Sequence, residues 1–164
     1  MTDDLLSPAV DESSVLAAAQ RLARLAAVQV LYGQHFAPSA RATSGFGVAA
    51  LEEEGEGAPE ETAAADDTGL CAVLVQGVEA EVETWDAMIT GALDSKRPAA
   101  RLELLLRVIL RAGAFELTRC GSTPTGRIIS DYVDVTRGFF DGKEPGLVNA
   151  VLDRIARTVR DSIP

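Results

Sequence analysis

An all-α fold is the class this sequence predicts, on three observations. Apolar residues make up 47% of the 164-residue chain, yet aromatics are only 5%, so Ala, Leu and Val supply most of the apolar side chains. That balance favours helices over a β-sandwich, which draws on aromatic and β-branched residues. Apolar residues also recur at helical spacing over several long segments, and strand-like alternation appears nowhere. The length suits one domain, and the apolar content is ample for a core.

Residues 1–12 hold Pro8 and four acids and read as a disordered tail, ahead of a single helical domain over 13–164. Ser13 or Ser14 is placed to cap a first helix over 15–35. That run, VLAAAQRLARLAAVQVLYGQH, has no Pro and meets Gly only near its end. Leu22, Leu25, Gln29 and Tyr32 follow helical spacing, and Gln20, Arg21 and Arg24 fall together on a polar flank. Residues 37–68 change character: Pro, Gly, Ser and Thr come first, then EEEGEGAPEETAAADD. They read as a flexible acidic loop, with room for a short helix over 48–54. The loop is either a mask for a basic surface or a tolerated insertion, and the general tolerance of surface loops favours the insertion.

A second helix is expected over 70–93, with Val73, Val75, Val78, Val82, Trp85 and Ile89 on its apolar side. The next segment, over 99–120, is apolar on most sides and predicts the central helix of the domain. Its few charges, among them Arg107, Arg111 and Glu116, each need a specific partner. After a turn that Ser122 or Thr123 can cap, with Pro124 in the first turn, a helix is expected over 125–140. Asp141-Gly142 breaks it. The last helix, over 144–161, has an apolar stripe from Leu147 to Val159 and a basic stripe of Arg154, Arg157 and Arg160.

The net charge of −10 argues against a nucleic-acid partner until it is divided along the chain. Residues 42–95 carry thirteen acids and no Lys or Arg, whereas residues 96–164 carry twelve basic and eight acidic residues. The surface formed by the C-terminal half is therefore more basic than the whole-chain value suggests.

Little supports catalysis or a cofactor. The single histidine, His35, lies at the end of the first helix, so a Cys–His pair or Ser–His–Asp set is hard to build. Carboxylates in a mobile loop cannot hold acid–base geometry. Gly45-Phe46-Gly47 is too short for a dinucleotide fingerprint. Two isolated cysteines, Cys71 and Cys120, with one histidine make a poor metal set. The expectations are no enzyme, no cofactor, no metal and no small-molecule substrate. The N-terminus is acidic, without the apolar stretch of a signal peptide, and no uncharged apolar run reaches membrane-spanning length. A cytoplasmic protein with both thiols free, and no membrane contact, is the simplest reading.

Two stretches resemble the NusB family of transcription antitermination factors. The first is RLARLAAVQVLY, from Arg21 to Tyr32, similar to the family's pattern R-x-x-A-R-x-x-A-x-Q-x-L-Y, slightly shifted. The second runs from Leu105 to Ala156: a Leu- and Arg-rich helix ending in Phe115-Glu116-Leu117, a turn with Pro124, Ile129-Ser130-Asp131 where the family has I-N-E, and Leu147-Val148-Asn149-Ala150 where it has F-V-N-G. The order and spacing of these motifs carry the resemblance. It implies two packed helical bundles of about six to seven helices. It also implies a partnership with a small-subunit ribosomal protein (NusE), binding of boxA-type single-stranded RNA, and action within the RNA polymerase antitermination complex on rRNA operons. Under that resemblance Gln20, Arg21, Arg24, Lys143 and Asn149 are the RNA-binding candidates, with Arg21 and Arg24 expected on one exposed side of a helix. Tyr32, Arg107, Arg111 and Glu116 are the protein-partner candidates. For Tyr32 the alternative is packing on the bundle, and for the three charged residues it is pairing inside the fold. Two other readings stay open: an interaction module of the same fold that has lost RNA binding, and a relative of the NusB-like domain appended to rRNA methyltransferases.

Overall fold

Amphipathic helices with one broad apolar face need another apolar face to cover it, and here every helix meets that need on a shared central one. The computed structural model of the chain describes residues 11–37, 69–93 and 98–161. In order these form α1 (Glu12–Gln34), α2 (Leu70–Ala80), α3 (Val82–Ala92), a 3-10 turn (Ala99–Arg101), α4 (Leu104–Arg119), α5 (Thr125–Phe139) and α6 (Glu144–Asp161). All regular structure among the described residues is helical, as the composition predicts. Of the tail expected over 1–12, residues 1–10 lie outside the described residues, while Asp11 and Glu12 instead cap and begin α1; of the acidic loop expected over 37–68, residues 38–68, with the short helix over 48–54, lie outside them.

Helix α4 is the axis of the fold. Eleven of its sixteen residues are buried, from Leu106 to Leu117, and it packs against all five other helices. On one side lie α1 and α2, which pack on each other. On the other lie α5 and α6, likewise packed together, with α3 touching both α4 and α6. One continuous core joins Ala27 and Leu31 of α1, Leu74 of α2, Trp85 and Ile89 of α3, Ile109 of α4, Ile128 of α5 and Leu152 of α6. Close approach depends on two glycines. A Cβ on Gly77 would overlap the Phe115 ring, and one on Gly113 would come within 2.7 Å of Leu152 Cδ2.

Several boundaries differ from the sequence expectation. Helix α1 starts earlier, because the Asp11 carboxylate, rather than Ser13 or Ser14, caps it by accepting from the Ser13 amide at 3.3 Å. The expected helix over 70–93 is two helices that break at Glu81, whose φ is −140°. At the break the Gly77 carbonyl, one of the last four of α2, accepts from the Trp85 indole at 3.1 Å. The Glu81 carboxylate is held by Arg119 at 2.9 Å. The expected helix over 99–120 is a 3-10 turn followed by α4, with extended backbone at Leu102 between them. Helix α5 begins after Pro124 without a side-chain cap from Ser122 or Thr123. Helix α6 spans the predicted residues.

By length and mean hydropathy alone α1 is long and apolar enough to cross a membrane, although it carries charges within its span. In the fold it lies against α2, α4 and α5, and both its arginines are ion-paired to other helices. Cys71 and Cys120 are both free thiols.

Candidate nucleic-acid interface

Helix α1 presents Arg21 and Arg24 toward α5, and the two meet different fates. Arg24 is wholly buried. Its Nε donates to Glu116 at 3.0 Å, its Nη2 pairs with the same carboxylate, and its Nη1 donates to Asp131 at 2.7 Å. Tyr132 adds a phenol donating to Glu116 at 2.8 Å. Arg24, Glu116, Asp131 and Tyr132 thus form an enclosed network linking α1, α4 and α5, with one more carboxylate than guanidinium. Two peripheral arginines balance it: Arg21 reaches Asp131 at 3.4 Å and Arg127 reaches it at 3.3 Å.

The network shifts its own titrations. Burial raises the Tyr132 pKa well above the ordinary phenol value, and the charge and hydrogen bond of Glu116 raise it further. Burial also raises the Cys120 thiol, with Glu116 adding to the effect. For Arg24 burial pulls the pKa down, but the hydrogen bond and charge of Glu116 outweigh it and the net direction is up.

This placement corrects two expectations. Arg24 cannot serve as an exposed phosphate contact, because its donors are spent inside the core. Glu116 does not face a protein partner; it is the counter-charge of Arg24. Isolated charges are too costly to bury, so each of these side chains requires the other.

Arg21 remains at the surface, with its side chain 53% exposed. It lines a shallow concavity of about 420 Å³ with Ser14, Ala17, Arg127 and Ser130. A second concavity of about 400 Å³ adjoins it at Ser130 and is lined by Gly126, Asp134, Arg137, Asn149 and Asp153. Helical spacing explains the continuity: Arg127, Ser130, Asp134 and Arg137 lie three or four apart, on one face of α5. The fold therefore brings Arg21 and Asn149 to opposite ends of one strip across α5. Gln20, half-buried on α1, lines neither concavity. Lys143 is exposed just before α6, where its carbonyl accepts from the Leu147 amide at 3.1 Å, and it too lines neither.

Arg127, Ser130 and Arg137 are not among the candidates that the sequence motifs single out, although their steps of three and seven along one helix are there to be read. Acids temper the strip. Asp134 accepts from Arg137 at 3.2 Å and lies 3.8 Å from Arg21. The arrangement can offer guanidinium planes and a carboxamide to a polyanion, but only by drawing arginines from carboxylates that already hold them.

The remaining candidates line neither concavity. Arg111 is buried and forms a two-point ion pair with Asp86 of α3 at 2.7 and 2.8 Å. It lines a cleft of about 270 Å³ with Leu31, His35, Val78 and Val82. Arg107 is half-buried, with Nη1 donating to the Ala100 carbonyl at 3.3 Å. Tyr32 is half-buried and packs edge-on against Phe36, ring centroids 5.1 Å apart. Internal pairing thus accounts for Arg111 as it does for Glu116. Among the described residues no group of three or more His, Cys, Asp or Glu is placed to hold a metal ion.

Known proteins resemble this chain in sequence and in fold. Residues 21–157 match the model of the NusB family. The transcription antitermination protein NusB of Rhodospirillum rubrum is 39% identical over 175 aligned positions, covering 98% of this chain and 95% of that protein. The protein of the same name from Mesorhizobium japonicum is 41% identical over 140 positions, covering 84% of this chain and 88% of its own length. A solved structure of T. maritima NusB superposes with a TM-score of 0.62 at 20% identity, covering 84% of this chain and 90% of that one, and shows the same fold. The resemblance carried by the Arg21–Tyr32 and Leu105–Ala156 motifs therefore extends over nearly the whole chain, and the chain belongs to the NusB family.

Proposed function

We propose that the chain is a transcription antitermination factor that acts by assembly rather than chemistry, in the cytoplasm, within an RNA polymerase complex on rRNA operons. The observation that carries this reading is identity of about 40% over most of the chain with relatives named for antitermination. BoxA-type single-stranded RNA lies along the strip from Arg21 across Arg127, Ser130 and Arg137 to Asn149, with Lys143 and Gln20 at its margins. Guanidinium groups contact phosphates and stack on unpaired bases. The ribosomal protein NusE docks on an adjoining surface that includes Tyr32 and Arg107 and completes the site.

One observation favours a second reading. The inward turn of Arg24, and the commitment of Arg21 to Asp131 and Asp134, leave fewer cations for phosphate than the motif suggests. A protein-interaction module without RNA binding would have the same fold. Fluorescence anisotropy with a short labelled boxA-type RNA separates the two, measured with and without NusE over a range of salt. Binding that NusE tightens and salt weakens is the expected result. NusE binding with no RNA binding in any condition would replace the first reading by the second.

A further inference from the structure

Asp134 lies in α5 three residues after Asp131 and three before Arg137. It lines the second concavity and also the groove where α5 meets Arg21 of α1. Its two oxygens serve arginines from two helices: Oδ1 accepts from Arg137 Nη1 at 3.2 Å, and Oδ2 lies 3.8 Å from Arg21 Nη2. The inner edge of Arg21 is held separately, its Nε donating to Asp131 at 3.4 Å. Asp131 is wholly buried and committed to Arg24 at 2.7 Å, whereas the Asp134 side chain is 37% exposed. Terminal nitrogens of Arg21 and Arg137 thus converge on one surface carboxylate, and both arginine side chains are more than half exposed. A phosphodiester carries the same single charge and presents two unesterified oxygens, so a place that suits this carboxylate suits a phosphate.

We infer that the space held by the Asp134 carboxylate is a phosphate subsite, and that Asp134 is a built-in competitor which an incoming strand must displace. Exposed ion pairs contribute little to stability, so the fold loses little when Asp134 gives up its arginines. The carboxylate is nevertheless tethered beside them, and a lone anion must compete with its high effective concentration. A strand already held at Arg127 and Asn149 is tethered as well, so for it the exchange takes place within the complex.

The displaced carboxylate stays next to the strand and repels it. Asp134 therefore subtracts a similar amount from the affinity of every strand that uses the subsite, and strands without base contacts in their favour are the first to fall below the working range. It sets a threshold for binding without touching a base. That the anion belongs to RNA rests on the proposed function; the subsite and its occupant do not.

Two titrations of the full chain test this, one with a short labelled boxA-type RNA and one with inorganic tripolyphosphate, which has charge but no bases. Asp134→Asn keeps the size of the side chain and removes its charge. It should tighten both ligands by about three- to tenfold at low salt. It should also steepen the fall of RNA affinity with salt, because no carboxylate is left to take up a cation when the strand binds, and leave the melting temperature within a few degrees of wild type. Glu83→Gln, exposed on α3 and lining neither concavity, makes the same change in net charge and should leave both affinities as they are. In a chain carrying Arg21→Ala and Arg137→Ala, Asp134→Asn should bring no gain. An Asp134→Asn chain that binds tripolyphosphate no tighter than wild type, an equal gain from Glu83→Gln, or a gain that survives the loss of both arginines would each overturn the inference. Tighter tripolyphosphate binding with RNA bound equally by wild type and variant would overturn the role of Asp134 as competitor. Tighter tripolyphosphate binding with no RNA bound by either chain would leave the subsite standing and remove the proposed function.

Discussion

Arg21 and Arg24 are three residues apart on one helix, yet a turn of about 300° separates their directions enough to give them opposite roles. Replacing Arg24 with Ala strands Glu116 and Asp131 in the core, and loss of about 3–5 kcal/mol in a urea titration is the expected outcome. Arg21→Ala removes a half-exposed pair and should cost no more than about 1 kcal/mol. It should instead weaken RNA binding, so the two variants separate folding from function. Tyr132 supplies a pH test. Its pKa is raised in the folded state by burial and Glu116. The phenol therefore stabilises the fold fully below the unfolded value, and that stability is lost as pH rises toward the folded one. The urea midpoint should fall above about pH 10, and Tyr132→Phe should flatten that limb relative to wild type while lowering stability near neutrality through the missing hydrogen bond. An unchanged alkaline limb in Tyr132→Phe would mean that another group sets it.

At the scale of elements, the break at Glu81 shows how packing overrides periodicity. Apolar residues continue at helical spacing from Val73 through Ile89, so nothing local stops the helix. The stop comes from the Trp85 indole taking the Gly77 carbonyl, the Arg119 ion pair at Glu81, and the edge-on packing of Trp85 against Phe115, 5.7 Å between centroids. Gly77 is the pivot because its missing side chain is filled by Phe115. Gly77→Ala would be favourable in an isolated helix but should destabilise the protein by about 1–3 kcal/mol through overpacking. The near-UV circular dichroism of Trp85, the one tryptophan in the chain, should change with it. A more stable Gly77→Ala chain with an unaltered tryptophan signal would count against this account of the break.

The whole molecule separates its charges. Residues 69–93, which form α2 and α3, contain four acids and no Lys or Arg, while α4 through α6 carry most of the arginines. The acidic balance of the chain is therefore compatible with a polyanion on α5 and α6. Removing one arginine that neutralises a phosphate should lower the slope of log affinity against log salt by about 0.7 for a single strand. Arg127→Ala and Arg137→Ala should each do so if their strip carries the RNA, whereas Arg119→Ala, beside Glu81 and outside the two concavities, should leave the slope as it is. Equal effects from all three would show that the general field of the protein, not this strip, attracts the RNA.

Composition and spacing were enough to establish an all-helical chain, the bounds of α6, the centrality of α4 and, through the order of weak motifs, the family. These properties are legible because they depend on which residues recur at which intervals, and one apolar face per helix leaves few ways to pack. Tertiary structure alone decided which arginine is a surface group and which is a core strut. Gln20, Arg21 and Arg24 look alike along the sequence, and the burial of Arg24 depends on Glu116 lying 92 residues away and Asp131 lying 107 away. The same holds for the strip that joins Arg21 to Asn149 through α5. Whether a face is inside or outside is set by the neighbours that cover it, and that information is not local to any segment.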